Sequence, residues 1–246
     1  IRSWSDAFTD RLSGMIDEKR EEECAHAVVD FQKTMQRQIT LRREYKHDDL
    51  LGDLVSASSD GDKPLSNAEI VSIIQQIMVA GNETSTSAMA EGIKLLIENP
   101  NQMEFLRQDS SLIKNTVEEI LRLASPVAGS WRIATRDVTV SGKKIKKGDR
   151  IMLRFAAASR DSSKFNLPNK MNINRQNSKM HFAFGRGIHT CVGSMLARRE
   201  ISICLEHMIN KFKTIELTDC NKDHAYNPNV MLRGLEVLNI KTTLKN

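Results

Sequence analysis

His181-Phe182-Ala183-Phe184-Gly185-Arg186-Gly187-Ile188-His189-Thr190-Cys191-Val192-Gly193-Ser194-Met195-Leu196-Ala197-Arg198 is the stretch on which the reading of this 246-residue chain turns. Gly185 and Gly187 permit a tight turn because they lack a Cβ. A helix is expected from about Val192, with Ile201, Cys204, Leu205, Met208 and Phe212 on one face. Cys191 therefore stands at a helix N-terminus, where backbone donors and the helix dipole favour the thiolate. Taken alone the residues leave two readings open. One is a buried structural cysteine beside a glycine-rich turn; the other is a thiolate presented as a ligand.

Working outward toward the N-terminus, a long helix opens with a capping box, Ser66 as N-cap and Glu69 three residues on. Its apolar face runs through Ile70, Ile73, Ile74, Ile77 and Met78, then Met89, Ile93, Leu96 and Ile97. Asn99-Pro100 ends it, since a residue before proline is driven out of the helical region. Such a helix is roughly 50 Å long. Its middle, Ala80-Gly81-Asn82-Glu83-Thr84-Ser85-Thr86-Ser87, carries small and polar residues where a core helix would carry Leu or Ile. Close approach of another helix and a ligand lying against the helix explain that equally well.

Shorter helices are expected after Pro100 and from Leu112 to Leu123, the latter carrying Glu119 and Arg122 on one face. Arg132 to Phe155 is strand-like, and Lys143, Lys144, Lys146 and Lys147 read as a solvated hairpin turn. An irregular polar stretch runs from Ser159 to Lys179, and the C-terminal tail is again strand-like. In the first part, Trp4, Phe8, Leu12 and Ile16 recur at helical spacing, as do Ala27, Val28, Phe31, Met35 and Ile39. A polar loop spans Ser56 to Lys63.

These segments together resemble the cytochrome P-450 family of the bacterial type. Phe184, Gly187, His189, Cys191 and Gly193 match its haem-binding loop, and Leu196-Ala197-Arg198 follows as in the family. Ala80-Gly81-Asn82-Glu83-Thr84 is similar to the distal-helix motif, and Glu119-x-x-Arg122 to the Glu-x-x-Arg motif. Pro168 to Arg175 supplies the third member of that triad, with Met171 in place of the usual Phe. Trp131-Arg132 matches the segment whose Arg meets a haem propionate. Ala156 to Asp161 is similar to the family's Ala-Asn-Arg-Asp, with Ser159 for Asn.

The resemblance implies a mainly α fold with minor β, a P-450 fold lacking its N-terminal third, with residues 1–246 as one partial domain. It implies haem b (iron protoporphyrin IX) with Cys191 as the iron ligand. Phe184, Gly185, Gly187, Gly193, Ala80 and Gly81 would adjoin the haem, and Arg132, His181 and His189 would meet its propionates. Glu83 and Thr84 would relay protons, and Glu119, Arg122 and Arg175 would form a structural triad. The implied reaction inserts one oxygen atom from dioxygen into an apolar organic substrate, with Ile77, Ala80, Val127, Ala128 and Met231 near it. Electrons would come from a ferredoxin-type partner, with Arg186, Arg198 and Arg199 available to dock it. The alternatives are a peroxide-using haem-thiolate enzyme and a truncated, non-catalytic haem-binding or inert fragment.

The bulk numbers agree with a globular chain: 40% hydrophobic, 27% charged, net charge +5. The basic residues are interspersed with acids, so no nucleic-acid partner is expected. No apolar run reaches the ~20 residues of a membrane span. Cys24, Cys191, Cys204 and Cys220 show no paired spacing, which points to a reduced, cytoplasmic setting.

Overall fold

A left-handed glycine decides where the first helix stops. Gly14 (φ 63°) caps α1 (Arg2–Ser13) and donates its N–H to Arg11, so the apolar spacing expected to continue to Ile16 is cut short. The computed structural model describes residues 1–59, 63–218 and 224–245. Its backbone forms two units, Ile1–Glu83 and Thr84–Asn246. Cys220 and part of the polar loop at 56–63 lie outside the described residues.

In the first unit, α2 (Glu18–Glu44) starts at Asp17, whose carboxylate accepts the Arg20 N–H. Cys24, Phe31 and Ile39 are fully buried along α2, and Phe31 receives the edges of Trp4 and Phe8 at centroid distances of 5.5 and 5.4 Å. Leu12, expected on the same face of α1, is instead exposed. α3 (Leu50–Ser56) leads into the short pair β1 (Ser58–Ser59) and β2 (Lys63–Pro64). Ile39, Val55 and Ile70 close a small second core.

α4 (Asn67–Glu98) passes through the boundary between the units. The expected capping box is formed: Glu69 accepts the Ser66 N–H at 2.8 Å, and the Ser66 hydroxyl accepts the Glu69 N–H at 3.3 Å.

The second unit is built on three helices: the C-terminal half of α4, α6 (Ile113–Ala124) and α8 (Ser194–Lys211). Ala88 and Leu96 of α4, Val117, Ile120 and Leu121 of α6, and Ile201, Leu205 and Ile209 of α8 share one core. Gly92 lets α4 approach α6 closely, since a Cβ there would lie 2.8 Å from the Ile120 side chain. α5 (Pro100–Gln108) precedes this bundle. Beyond α6, β3 (Ser130–Ile133) pairs antiparallel with β6 (Arg150–Leu153), enclosing the hairpin β4 (Val138–Val140) and β5 (Lys143–Ile145). Ser141 and Gly142 both have positive φ at the hairpin turn, the geometry that matches strand twist. The four lysines are exposed there, as a solvated turn requires.

α7 (Phe155–Ala158) then opens an irregular stretch that continues to the cysteine loop. β7 (Phe212–Leu217) and β8 (Ile240–Leu244) form an antiparallel pair after α8. Between them, Asn227 N–H donates to Gly234 and Glu236 N–H to Ala225, so 225–236 folds back as a hairpin. No helix among the described residues is long and apolar enough to cross a membrane.

Candidate functional site: a cysteine loop on a carboxylate-braced helix

Gly185 (φ 64°) and Gly187 (φ 79°) take the left-handed turns that the sequence requires of them. A short 3₁₀ turn, Gly187–His189, follows, and the Thr190 hydroxyl donates to the Gly187 carbonyl at 2.7 Å. The Cys191 N–H returns to the Phe184 carbonyl at 3.0 Å. Gly193 is the N-cap of α8, so the thiol precedes the helix by a few residues. Cys191 is exposed, which removes the buried structural reading.

The surroundings of the sulfur are unusual for a free surface. Ile188 is 98% exposed, Val192 101%, Met195 75% and Leu196 63%. Contiguous apolar exposure of this kind marks a surface that binds something. A flat, largely apolar ring ligated by the sulfur would cover it, and the Arg132 guanidinium and the His189 ring provide hydrogen-bond donors in the same unit for its carboxylates. The residues present therefore fit an iron porphyrin. Around Gly81, in the middle of α4, there is open space: a Cβ there would meet no atom within 4 Å. Close packing against another element is thus not what makes that position glycine.

Glu83 is partly buried, and burial pushes its carboxyl above the usual range, with Asp6 adding to the rise. Thr84 follows it on α4. Ser85, next in line, donates its hydroxyl to Glu200 of α8 at 2.8 Å. Glu200 was not legible as a site residue in sequence, where Arg198-Arg199-Glu200 reads as a charge run.

The expected triad is assembled. Glu119 receives two hydrogen bonds from Arg122, each 2.8 Å, and contacts Arg175 Nε at 3.1 Å. Glu119 and Arg122 are fully buried, and charges so placed need partners. Arg122 also donates to the Ser159 and Pro168 carbonyls, and Arg175 to those of Asn166 and Lys170. The irregular stretch 159–175 thus hangs on these three side chains, with Met171 buried against the core.

His181 departs from its expected place at a propionate. It is buried, with Nε2 3.0 Å from Glu118 and Nδ1 accepting the Ala183 N–H at 3.1 Å. Both ring nitrogens are committed inside the protein. Arg198 is similarly taken from the expected docking surface, since its Nε and Nη2 donate to Glu118 at 2.6 and 3.1 Å. Burial alone would raise the Glu118 carboxyl, but the hydrogen bonds from His181 and Arg198, with the charge of the Arg198 guanidinium, outweigh it and hold it down at about 2. Arg186 and Arg199 stay exposed. Arg132 donates to the Ser130 hydroxyl at 3.0 Å and to the Trp131 carbonyl at 2.8 Å.

Val127, Ala128 and Met231 come together. Ala128 N–H donates to the Met231 carbonyl at 2.7 Å, and Val127 bridges to Leu232. A polar cluster not legible in the sequence involves the same C-terminal hairpin. Arg233 donates to Glu91 of α4 at 3.1 Å and to the Tyr226 hydroxyl at 2.7 Å. Tyr226 in turn donates to Glu91 at 3.0 Å. Burial, with Glu91 adding, raises the Tyr226 phenol to about 12.

Comparison with known proteins identifies the family. The family model described as Cytochrome P450 matches residues 8–236. The chain is 32% identical over 238 residues to "Cytochrome P450 CYP107DY1" of Priestia megaterium, covering 97% of this chain and 57% of that protein. It is 37% identical to "Polyketide biosynthesis cytochrome P450 PksS" of Bacillus subtilis, covering 96% and 56%. The crystal structure of CYP109E1 from Bacillus megaterium with testosterone superposes with a TM-score of 0.87 at 32% identity, over 98% of this chain and 64% of that one. The chain thus spans rather more than half the length of the curated relatives it matches. With a family model matched along almost its whole length and relatives more than 30% identical over nearly all of it, the chain belongs to the cytochrome P450 family.

Proposed function

We propose that the protein represented by this chain is a haem-thiolate monooxygenase that inserts one oxygen atom from dioxygen into an apolar organic substrate. The observation that carries this reading is the exposed Cys191 just before α8, with Ile188, Val192, Met195 and Leu196, within five residues of it in the chain, exposed as well. Haem b is the group proposed; Cys191 would ligate its iron, and Arg132 and His189 would meet its propionates. When bound, it supplies dioxygen binding and thiolate-assisted O–O cleavage.

The remaining work falls to the chain's own residues. Thr84 presents a hydroxyl on α4 beside Glu83, whose carboxyl burial holds above its usual range, an acid–alcohol pair suited to proton transfer. The Ser85–Glu200 hydrogen bond offers a further acid–alcohol pair one residue on. Val127, Ala128 and Met231 form an apolar wall, and the testosterone held by the similar CYP109E1 supports an apolar substrate here. Electrons are proposed to come from a separate ferredoxin-type protein, with Arg186 and Arg199 as the exposed cations for docking. A compartment that keeps Cys191 reduced, the cytoplasm, is part of the proposal.

The test is the optical spectrum of the haem-reconstituted chain, reduced and exposed to carbon monoxide. A Soret band shifted to the wavelength that names the family is expected, and it should vanish in Cys191→Ser. Haem uptake without that band would overturn the assignment of Cys191.

A further inference from the structure

α6 presents two neighbouring carboxylates with separate clients. Glu119 holds the stretch 159–175 through Arg122 and Arg175. Glu118 serves the cysteine loop, and it does so from both sides. Its carboxylate binds His181, ten residues before Cys191, and Arg198, seven residues after it. We propose that Glu118 is a positioning residue for Cys191, one buried anchor that fixes both ends of the loop carrying the sulfur.

Between these two ties the loop has little packing of its own. Arg186 through Val192 are all exposed, so side-chain burial does not set the place of the sulfur. Its first residues are tied inward by buried Ala183 and by the Phe182 N–H, which donates to the Ser159 hydroxyl at 3.1 Å, and the link nearest the sulfur is Phe184. The Phe184 ring lies 4.5 Å from the Arg198 guanidinium and 5.9 Å from the His181 ring, and the Phe184 carbonyl accepts the Cys191 N–H. Both side chains that bind Glu118 therefore also hold the residue from which Cys191 hangs. The ring of His181 has one permitted arrangement: Nδ1 accepts from Ala183, so Nε2 carries the proton given to Glu118. The two bonds from Arg198 are charge-assisted and directional. Removing the carboxylate would release both flanks at once.

The proposal rests on Cys191 being the axial ligand, and two measurements keep the two ideas apart. The first is amide hydrogen exchange of the 246-residue chain without haem. Glu118→Gln should speed exchange across 182–193 by about tenfold while leaving 164–177 as in the parent. Glu119→Gln should do the converse. Arg198→Gln, which cuts one tie at a half-exposed position, should loosen 182–193 to a lesser degree and provides the reading if Glu118→Gln does not fold. Unchanged exchange across 182–193, or equal loosening of both segments in both carboxylate variants, would overturn the role of Glu118. The second is the carbon monoxide spectrum after haem addition, where Glu118→Gln should lose most of the red-shifted band in favour of an unshifted one. A full red-shifted band in a variant whose loop has loosened would also overturn it. A parent chain that takes up haem without that band would remove Cys191 as ligand, leaving the exchange result to stand on its own.

Discussion

At the scale of single residues, the chain spends buried carboxylates to organise loops that have no core of their own. Glu119 shows the energetic stake. Replacing it with Ala would leave Arg122 fully buried and unpaired, a loss of roughly 3–5 kcal/mol, against a total stability of roughly 5–15 kcal/mol. Glu119→Ala is therefore expected to yield little folded protein, checked by circular dichroism and denaturant titration. Glu118 adds a pH dependence. Its folded-state affinity for protons is depressed to about 2 from 4.5, so its stabilising contribution is complete above about pH 4.5 and is lost as pH falls toward 2. The urea midpoint of the parent should exceed that of Glu118→Gln near neutral pH, and the gap should close between pH 4.5 and 2. Tyr226 works with the opposite sign. Its phenol is raised to about 12 from 10.0, so its contribution holds below pH 10 and disappears on passing 12. A late step in phenolate absorbance should be absent in Tyr226→Phe. In the complete enzyme, Thr84→Ala should divert electrons from product to peroxide; normal coupling would remove Thr84 from the proton path.

At the scale of elements, α4 joins two kinds of requirement in one helix. Its N-terminus needs the reciprocal Ser66–Glu69 cap, and Ser66→Ala should cost about 1 kcal/mol. Its C-terminal half needs Gly92, because Ile120 of α6 occupies the space of a side chain. Gly92→Ala is expected to cost roughly 1–3 kcal/mol by overpacking, despite the higher helix propensity of Ala; Gly81→Ala, with open space around it, should not destabilise the chain. Thermal melts of the two variants separate packing from propensity. The element boundaries were largely legible because they rest on local chemistry: Ser66, Pro100 and the Ser141–Gly142 turn act within a few residues. α1 is shorter than its apolar spacing implies, also through local chemistry. Its apolar spacing continues past Gly14, and only the left-handed backbone there ends the helix.

For the molecule as a whole, the exposed apolar residues next to Cys191 in the chain are the feature with the largest consequence. Ile188, Val192, Met195 and Leu196 form a surface that self-association would bury. The chain without haem is expected to aggregate as concentration rises, and haem in excess should suppress this and raise the melting temperature by mass action. Light scattering with and without haem measures both.

The sequence by itself determined the family, the cysteine loop, the capping box and the Glu119–Arg122–Arg175 triad. Each rests on residue identity at fixed spacing, or on backbone geometry that only particular residues adopt. Tertiary structure alone decided what Glu118, Glu200 and Glu91 do. Their partners lie 63 and 80, 115, and 135 and 142 residues away, and an acidic residue in a helix reads equally well as a solvated one. It likewise moved His181 from an expected propionate contact to Glu118, because burial left its two nitrogens only protein partners. Which charges are buried depends on how helices pack, and that information is not carried by any local stretch of chain.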